Sequence, residues 1–314
     1  MLKSYLLIAL RSFKRHKAYS LINIAGLAVG MSCVILISLY AYDELSVDQI
    51  HEKGDRIHHV VMGLEETGRG IIYEMGSFGP IGEEIRTSFP DEVERVTQFY
   101  TSRQHATYGR KGFDFWNAMV DSNFFAVFTF PLVKGDSSRV LAEPWTIVIS
   151  ESMSKRAFGT QDPIGKRLSY AGVYLNGEYT VTGVMRDVPR HSQIQFDAVT
   201  ATRTESNHLE SIWARFHASH PLRTCVLLRE GVSVKTFEPK LAPIESSVRA
   251  RARSMGILHL RLQNFERIYL HAYKKFGITG FGDIDRIVLF TNSRCAGTPD
   301  RQRELRKPGG VPIA

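Results

Sequence analysis

Cysteine is scarce and scattered in this chain: three occur in 314 residues. Cys33 lies inside an apolar run, Cys225 in a second apolar stretch and Cys295 in a polar tail, so no pair is placed to staple a fold. Catalytic signatures are equally thin. No GxSxG occurs, and the nearest approach to a phosphate loop, GTQDPIGKR at 159–167, has five residues between Gly159 and Gly165 where four are required. Its Lys166 is followed by Arg167, where a Ser or Thr would hold magnesium. Gly277, Gly280 and Gly282 lack the spacing and the preceding strand of a dinucleotide fingerprint. His51, His58 and His59 invite a metal, but neighbours on a strand point to opposite faces, and no Cys or carboxylate spacing completes a tetrahedral set. They read as surface or partly buried structural histidines. No catalytic, cofactor-binding or metal-ligating residue is assigned.

Charge is missing from one place above all. Residues 18–42, AYSLINIAGLAVGMSCVILISLYAY, hold no Asp, Glu, Lys or Arg. At 1.5 Å per residue this run is long enough to cross the roughly 30 Å hydrocarbon layer with some tilt. A cleaved signal peptide would have a core of about 7–15 residues and a small-x-small site close behind. Here the core is longer, and Leu39-Tyr40-Ala41 puts a bulky residue first. Asn23 is the one amide in the span. Gly26 and Gly30, with Ala25 and Ala28 on the same turns, make a small-residue face suited to a second helix. Lys3, Arg11, Lys14, Arg15 and Lys17 precede the span, whereas Asp43, Glu44 and Asp48 follow it, which orients the N-terminus to the cytoplasm and the bulk of the chain outside it. Within 1–17, Leu2, Leu6, Ala9, Leu10 and Phe13 recur at helical spacing, an amphipathic basic segment suited to the head-group layer.

The formal charge of +8 does not imply nucleic acid. Five basic residues and no acid stand in 1–17, five basic and two acidic in 291–314, and the chain between them is neutral. A neutral middle offers no phosphate-tracking surface.

Beyond the span the pattern is α+β. Strands are expected over Arg56–Met62, Val93–Tyr100, Trp145–Ile149, Tyr179–Met185, Ile194–Val199 and Thr224–Leu228. A helix behind Pro80 puts Ile81, Ile85 and Phe89 on one face, and Pro90 helps to stop it. Ser150 is placed to cap ESMSKRAF before Gly159 ends that helix. Phe237, Leu241, Ile244 and Val248 follow helical spacing, shortened or kinked by Pro243. Phe124, Phe125, Phe128 and Phe130 read as core packing, with a hydrophobic ligand cleft as the alternative. Residues 201–222 remain unassigned. The irregular spacing of strands and helices argues for a mixed fold.

Five stretches carry a wider likeness: ALRSFKRHKAYSLINIAGLAVGMSC (9–33), YDELSVDQIHEKGDRIHHV (42–60), FFAVFTFPLVKGD (124–136), ISESMSKRAFGTQDPIGKRL (149–168) and YTVTGVMRDVPRHSQIQFD (179–197). Together they resemble the permease subunits of MacB/FtsX-like ABC transporters, especially the antimicrobial-peptide or export permeases common in Bacteroidetes. That resemblance implies a non-enzymatic component of the bacterial inner membrane without cofactors. It implies a permease dimer in the lipid bilayer, driven by a separate cytoplasmic ABC ATPase and acting on a substrate or on a periplasmic or outer-membrane partner. The expected organisation is a cytoplasmic segment at 1–17, a transmembrane helix at 18–42, a MacB-like periplasmic core domain at 43–290 and a disordered, atypical tail at 291–314. Such permeases continue with three further helices, which the polar tail does not supply, so the sequence reads as an N-terminal fragment of a permease. The alternative is a single-span periplasmic binding or sensor module.

Overall fold

The structure is a computed structural model that describes residues 15–66, 70–171, 175–201, 222–251 and 257–278. Most of the amphipathic segment expected over 1–17, the unassigned stretch at 202–221, Gly280, Gly282 and the tail at 291–314 lie outside the described residues.

Helix α1 runs Lys17–Leu45. It is apolar on every side, with Leu21 70 %, Leu27 66 % and Leu36 66 % exposed. A soluble surface helix hides one apolar stripe, so a helix apolar all round is matched to hydrocarbon. Within the span Ser32 Oγ meets its need locally, donating to the Ala28 carbonyl at 2.8 Å. Nothing among the described residues packs on Gly26 or Gly30. The helix as far as Ala41 and the domain from Tyr42 onward belong to separate compact units.

The domain is built from β1 (Ile57–Glu66), β2 (Gly70–Glu74), α2 (Gly79–Ser88), β3 (Val93–Tyr108), β4 (Lys111–Val120), α3 (Phe124–Val127), β5 (Leu132–Lys134), β6 (Thr146–Ser150) and α4 (Glu151–Phe158). There follow β7 (Arg167–Ala171), β8 (Asn176–Met185), β9 (Ala198–Ala201), β10 (Arg223–Leu228), α5 (Val234–Phe237), a 3-10 turn (Glu238–Leu241), α6 (Ala242–Arg251), β11 (Ile257–Asn264) and α7 (Phe265–Phe276). The strands form one sheet in the order β11-β1-β10-β3-β4-β9-β6-β8-β5, with β2 added to β1, and β7 paired to both β3 and β8. The path β3-β4-β9-β6-β8-β7 therefore returns to β3 and closes a barrel, which removes open edges there. β9 lies parallel to β4, and β8 parallel to β6. The arm β11-β1-β10-β3 is antiparallel throughout.

Alternation along the arm separates two cores. Val60, Met62, Val96, Val226, Leu228, Leu258, Leu260 and Leu262 face α2, α5 and α6, meeting Ile81, Ile85, Phe237, Leu241, Ile244 and Val248. Ile57, Phe99, Cys225 and Leu227 face an aromatic cluster on the other side. Pro80 sits in the first turn of α2 as expected, and the Phe89 N–H closes the helix on the Ile85 carbonyl. Pro243 does not kink a helix. It stands in the first turn of α6, where its missing N–H costs nothing, and the helical stretch expected there resolves into three consecutive pieces.

One strand expectation is corrected. Ile194–Val199 is not extended throughout: β9 begins at Ala198, because the chain before it turns, with Ser192 N–H donating to the Pro189 carbonyl and Gln195 Nε2 donating to the Pro189 and Ser192 carbonyls. The expectation at Ser150 is met, since its Oγ accepts from the Met153 N–H at 3.1 Å. Ser150→Ala should lower stability by about 1 kcal/mol. Urea titration checks this, and Ser150→Thr, which keeps the hydroxyl as acceptor for the Met153 N–H, should recover most of the loss.

Candidate functional site

The structure gathers its polar chemistry at one corner of the domain, where the chain arrives from α1 and where α7 begins. Asp48 is fully buried with φ 60°, a left-handed conformation uncommon for a residue with a Cβ. Three consecutive residues hold it there. The Asp48 N–H donates to the His191 carbonyl at 2.9 Å, and Asp48 Oδ1 accepts from Ser192 Oγ and the Gln193 N–H, each at 3.0 Å. Burial raises the Asp48 carboxyl to about 6, against the pull of those donors and of nearby Arg223. The Gln193 side chain lies beside Asp48 and its Nε2 donates to the Phe265 carbonyl at 3.0 Å. Asn264 Nδ2 donates to the carbonyls of Gly54 and Asp55, both at 3.0 Å.

His51 stands in the same corner against aromatic rings, with centroids 5.1 Å from Phe128, 5.4 Å from Phe130 and 5.5 Å from Phe265. Its Nδ1 accepts from the Thr129 N–H at 3.1 Å, which fixes that nitrogen as the unprotonated one. Burial lowers this imidazole to about 4. His59, on β1, is wholly buried, and neither ring nitrogen meets a hydrogen-bond partner among the described residues. Burial, then the charge of Arg223, lowers it to about 3. The three histidines are thus buried, not at the surface: His51 is 4 %, His58 6 % and His59 0 % exposed. His58 donates from Nδ1 to the Arg56 carbonyl at 2.9 Å. Among the described residues no three His, Cys, Asp or Glu side chains converge as metal ligands.

Asp121 anchors the far side of the aromatic core. Its carboxylate accepts from the Gln98 N–H at 2.7 Å, Thr97 Oγ1 at 2.8 Å and the Asn123 N–H at 2.9 Å, yet burial still raises it to about 6. Burial pushes the Cys225 thiol up, which leaves it an inert core residue.

The phenylalanines of 124–130 divide between the two expected uses. Phe124, Phe128 and Phe130 are 0, 1 and 7 % exposed and form the core; Phe125 is only partly covered. Beside them opens a groove of about 860 Å³, walled by Phe125, Leu132, Glu52, Lys53, Glu94 and Arg95. Its floor is braced by ions: Glu94 pairs with Arg56 at 2.8 Å and Lys53 at 3.4 Å. The GTQDPIGKR stretch is a structural turn. Asp162 Oδ1 meets Lys134 Nζ at 3.0 Å and the Ile164 N–H at 3.3 Å. Lys166 Nζ lies over the rings of Tyr108 and Phe158.

Sequence reasoning missed Gln193 and Asn264, and used Asp48 only as a topological charge. The polar run HSQIQ directly before a strand was the available signal, but it does not say which distant carbonyl Gln193 will reach.

The profile of the family described as MacB-like periplasmic core domain matches residues 20–244. No curated protein matches the chain. Among solved structures, a domain of a candidate permease protein from Porphyromonas gingivalis aligns with a TM-score of 0.58 and 23 % identity, over 68 % of this chain and 92 % of that one. The periplasmic region of MacB from Actinobacillus actinomycetemcomitans aligns at 0.48 and 15 % identity, over 74 % and 100 %. The extracellular domain of the noncanonic ABC-type transporter YknZ from Gram-positive bacteria aligns at 0.46 and 13 % identity, over 65 % and 98 %.

Proposed function

Because this chain belongs to the family of MacB-like periplasmic core domains, we propose that it is a non-catalytic permease component of an ABC transporter, held in the inner membrane by α1. Its role is to couple ATP hydrolysis by a separate cytoplasmic ATPase to export, or to mechanical action on an envelope partner. The observation that carries this reading is the reach of the family match, which starts inside the apolar helix at residue 20 and extends to residue 244 of the domain. In this reading α1 is one of several helices in a permease dimer, and the Gly26/Gly30 face receives a neighbour. The domain works by displacement: ATPase closure shifts helix packing, and the β-sheet, closed and well packed, moves as a body.

The test is affinity purification of the full chain from inner membranes, with quantitative mass spectrometry. An ABC ATPase is expected to accompany it in stoichiometric amount. In intact cells, a membrane-impermeant maleimide should label the Glu52→Cys variant from the periplasmic side and leave Lys14→Cys unlabelled. A chain recovered free of ATPase, with a small molecule or peptide seated in the groove beside Phe125, would instead favour a membrane-anchored binding or sensor module.

A further inference from the structure

We propose that Gln193 is a positioning residue that links the segment by which the chain enters the domain to the helix by which it leaves, so that movement of one is passed to the other. This rests on the reading of the domain as a transmission element. The argument starts from the loop itself. Residues 189–195 brace one another, through the Ser192 N–H to the Pro189 carbonyl at 3.0 Å and Gln195 Nε2 to the carbonyls of Pro189 and Ser192 at 2.9 and 2.6 Å. A loop braced in this way behaves as a bracket. One side of the bracket grips the entry segment through three bonds to Asp48. The grip is specific, because Asp48 holds a left-handed φ that a residue with a Cβ adopts only where its surroundings fix it.

The other side holds the exit helix through one bond, from Gln193 Nε2 to the carbonyl of Phe265, the first residue of α7. Helix α7 is itself packed onto the sheet by Ile268, Ala272 and Phe276 around Val61. Further ties complete the corner: Asn264 to the Gly54 and Asp55 carbonyls, and the rings of His51 and Phe265. Those ties involve residues 51–55, beyond the Asp48 pin. Gln193 joins the bracket that holds Asp48 to α7 by a hydrogen bond, and its neighbour Ile194 shares the aromatic core with Phe265. The hydrogen-bonded route from Asp48 to α7 through the bracket runs through residue 193.

Hydrogen exchange of the full chain in lipid nanodiscs tests this. Asp48→Ala and Ser192→Ala alter no group that touches α7, yet each should speed exchange of the Tyr269–Ala272 amides by about fivefold or more, with Gln193→Ala doing the same. In the Asp48→Ala/Gln193→Ala double variant, α7 should exchange no faster than in Gln193→Ala alone. The amides of β6 should stay at wild-type rates in all of them, which separates local release from global opening. Should Asp48→Ala fail to fold, Ser192→Ala and its double with Gln193→Ala carry the same comparison. The proposal is overturned if α7 exchange is unmoved by the Asp48 and Ser192 changes, or if the effects multiply in the double variant. No ATPase is present in this experiment, so it succeeds or fails independently of whether an ATPase engages the chain.

Discussion

Phe124→Ala is expected to be the most damaging single truncation in the domain, at about 3–5 kcal/mol. Phe124 is wholly buried and stands at the hub of the aromatic core, with ring centroids 5.2 Å from Phe128, 5.6 Å from Phe130, 5.7 Å from Phe99 and 5.9 Å from Phe196. These partners come from β3, the 128–130 turn and the approach to β9, so the cavity left by truncation would be walled by three separate segments of chain. Those walls are anchored independently and cannot collapse together, which puts the cost at the upper part of the range. A domain with a total stability of about 5–15 kcal/mol would lose a large fraction of it. Urea unfolding of the full chain in detergent, followed by tryptophan fluorescence, measures the loss. Phe125→Ala supplies the contrast: that ring is partly exposed at the groove and should cost about 1 kcal/mol. Were the two variants to cost the same, the cluster would be a ligand-lining surface and not a core.

The hub was legible because its signal is local. FFAVFTF concentrates apolar rings within seven positions, next to a proline, and no solvent-facing arrangement accommodates them. Ser150 was legible for a similar reason: a β-branched strand ending in Ser before a helix-forming run is a cap by local chemistry alone, and the Met153 N–H completes it. The second half of β3 was not legible. Between Ser102 and Ala106 the inward positions are Ser102, Gln104 and Ala106, two of them polar, while Arg103 and His105 face outward. Gln104 Nε2 donates to Ser102 Oγ at 2.8 Å, so the buried row satisfies itself and needs no apolar alternation. A period-2 pattern carried by polar residues is invisible to hydrophobicity. The alternation Leu258, Leu260, Leu262 in β11 was, by contrast, present to be read. The corner belongs to a third kind. Asp48, Gln193 and Phe265 are distant in sequence, and each is ordinary in its own neighbourhood. What makes them a unit is the β1–β11 pairing, which brings Asn264 alongside His58 and so delivers the start of α7 to the entry segment.

Buried carboxyls and imidazoles set how the domain responds to acid, and His59→Leu is the variant that exposes it. Asp48 and Asp121 have carboxyls raised to about 6, so between about pH 4 and 6 the folded state holds more protons on them than the unfolded chain does, and each contributes stability that is lost as pH rises through 6. His51 and His59 work in the opposite sense. Lowered to about 4 and about 3, they stay neutral in the folded protein while the unfolded chain takes up protons below about 6.5, so each contributes stability that is lost as pH falls. Two groups on each side leave these contributions nearly balanced, and wild-type stability should change little between pH 4 and 6 on their account. Removing His59 breaks the balance. Leucine at this site needs no hydrogen bonds, whereas the imidazole buries two nitrogens without partners among the described residues. Relative to its effect at pH 8, His59→Leu should stabilise the domain by about 2 kcal/mol at pH 5, since 1.5 units below the unfolded pKa the wild type forfeits about 1.4 kcal/mol per unit. Its stability relative to that of the wild type should accordingly fall as pH rises from 4 to 6. Urea titrations of both proteins at pH 4, 5, 6 and 8 decide the matter. Parallel curves across that range would mean that His59 titrates in the folded protein as it does in the unfolded chain.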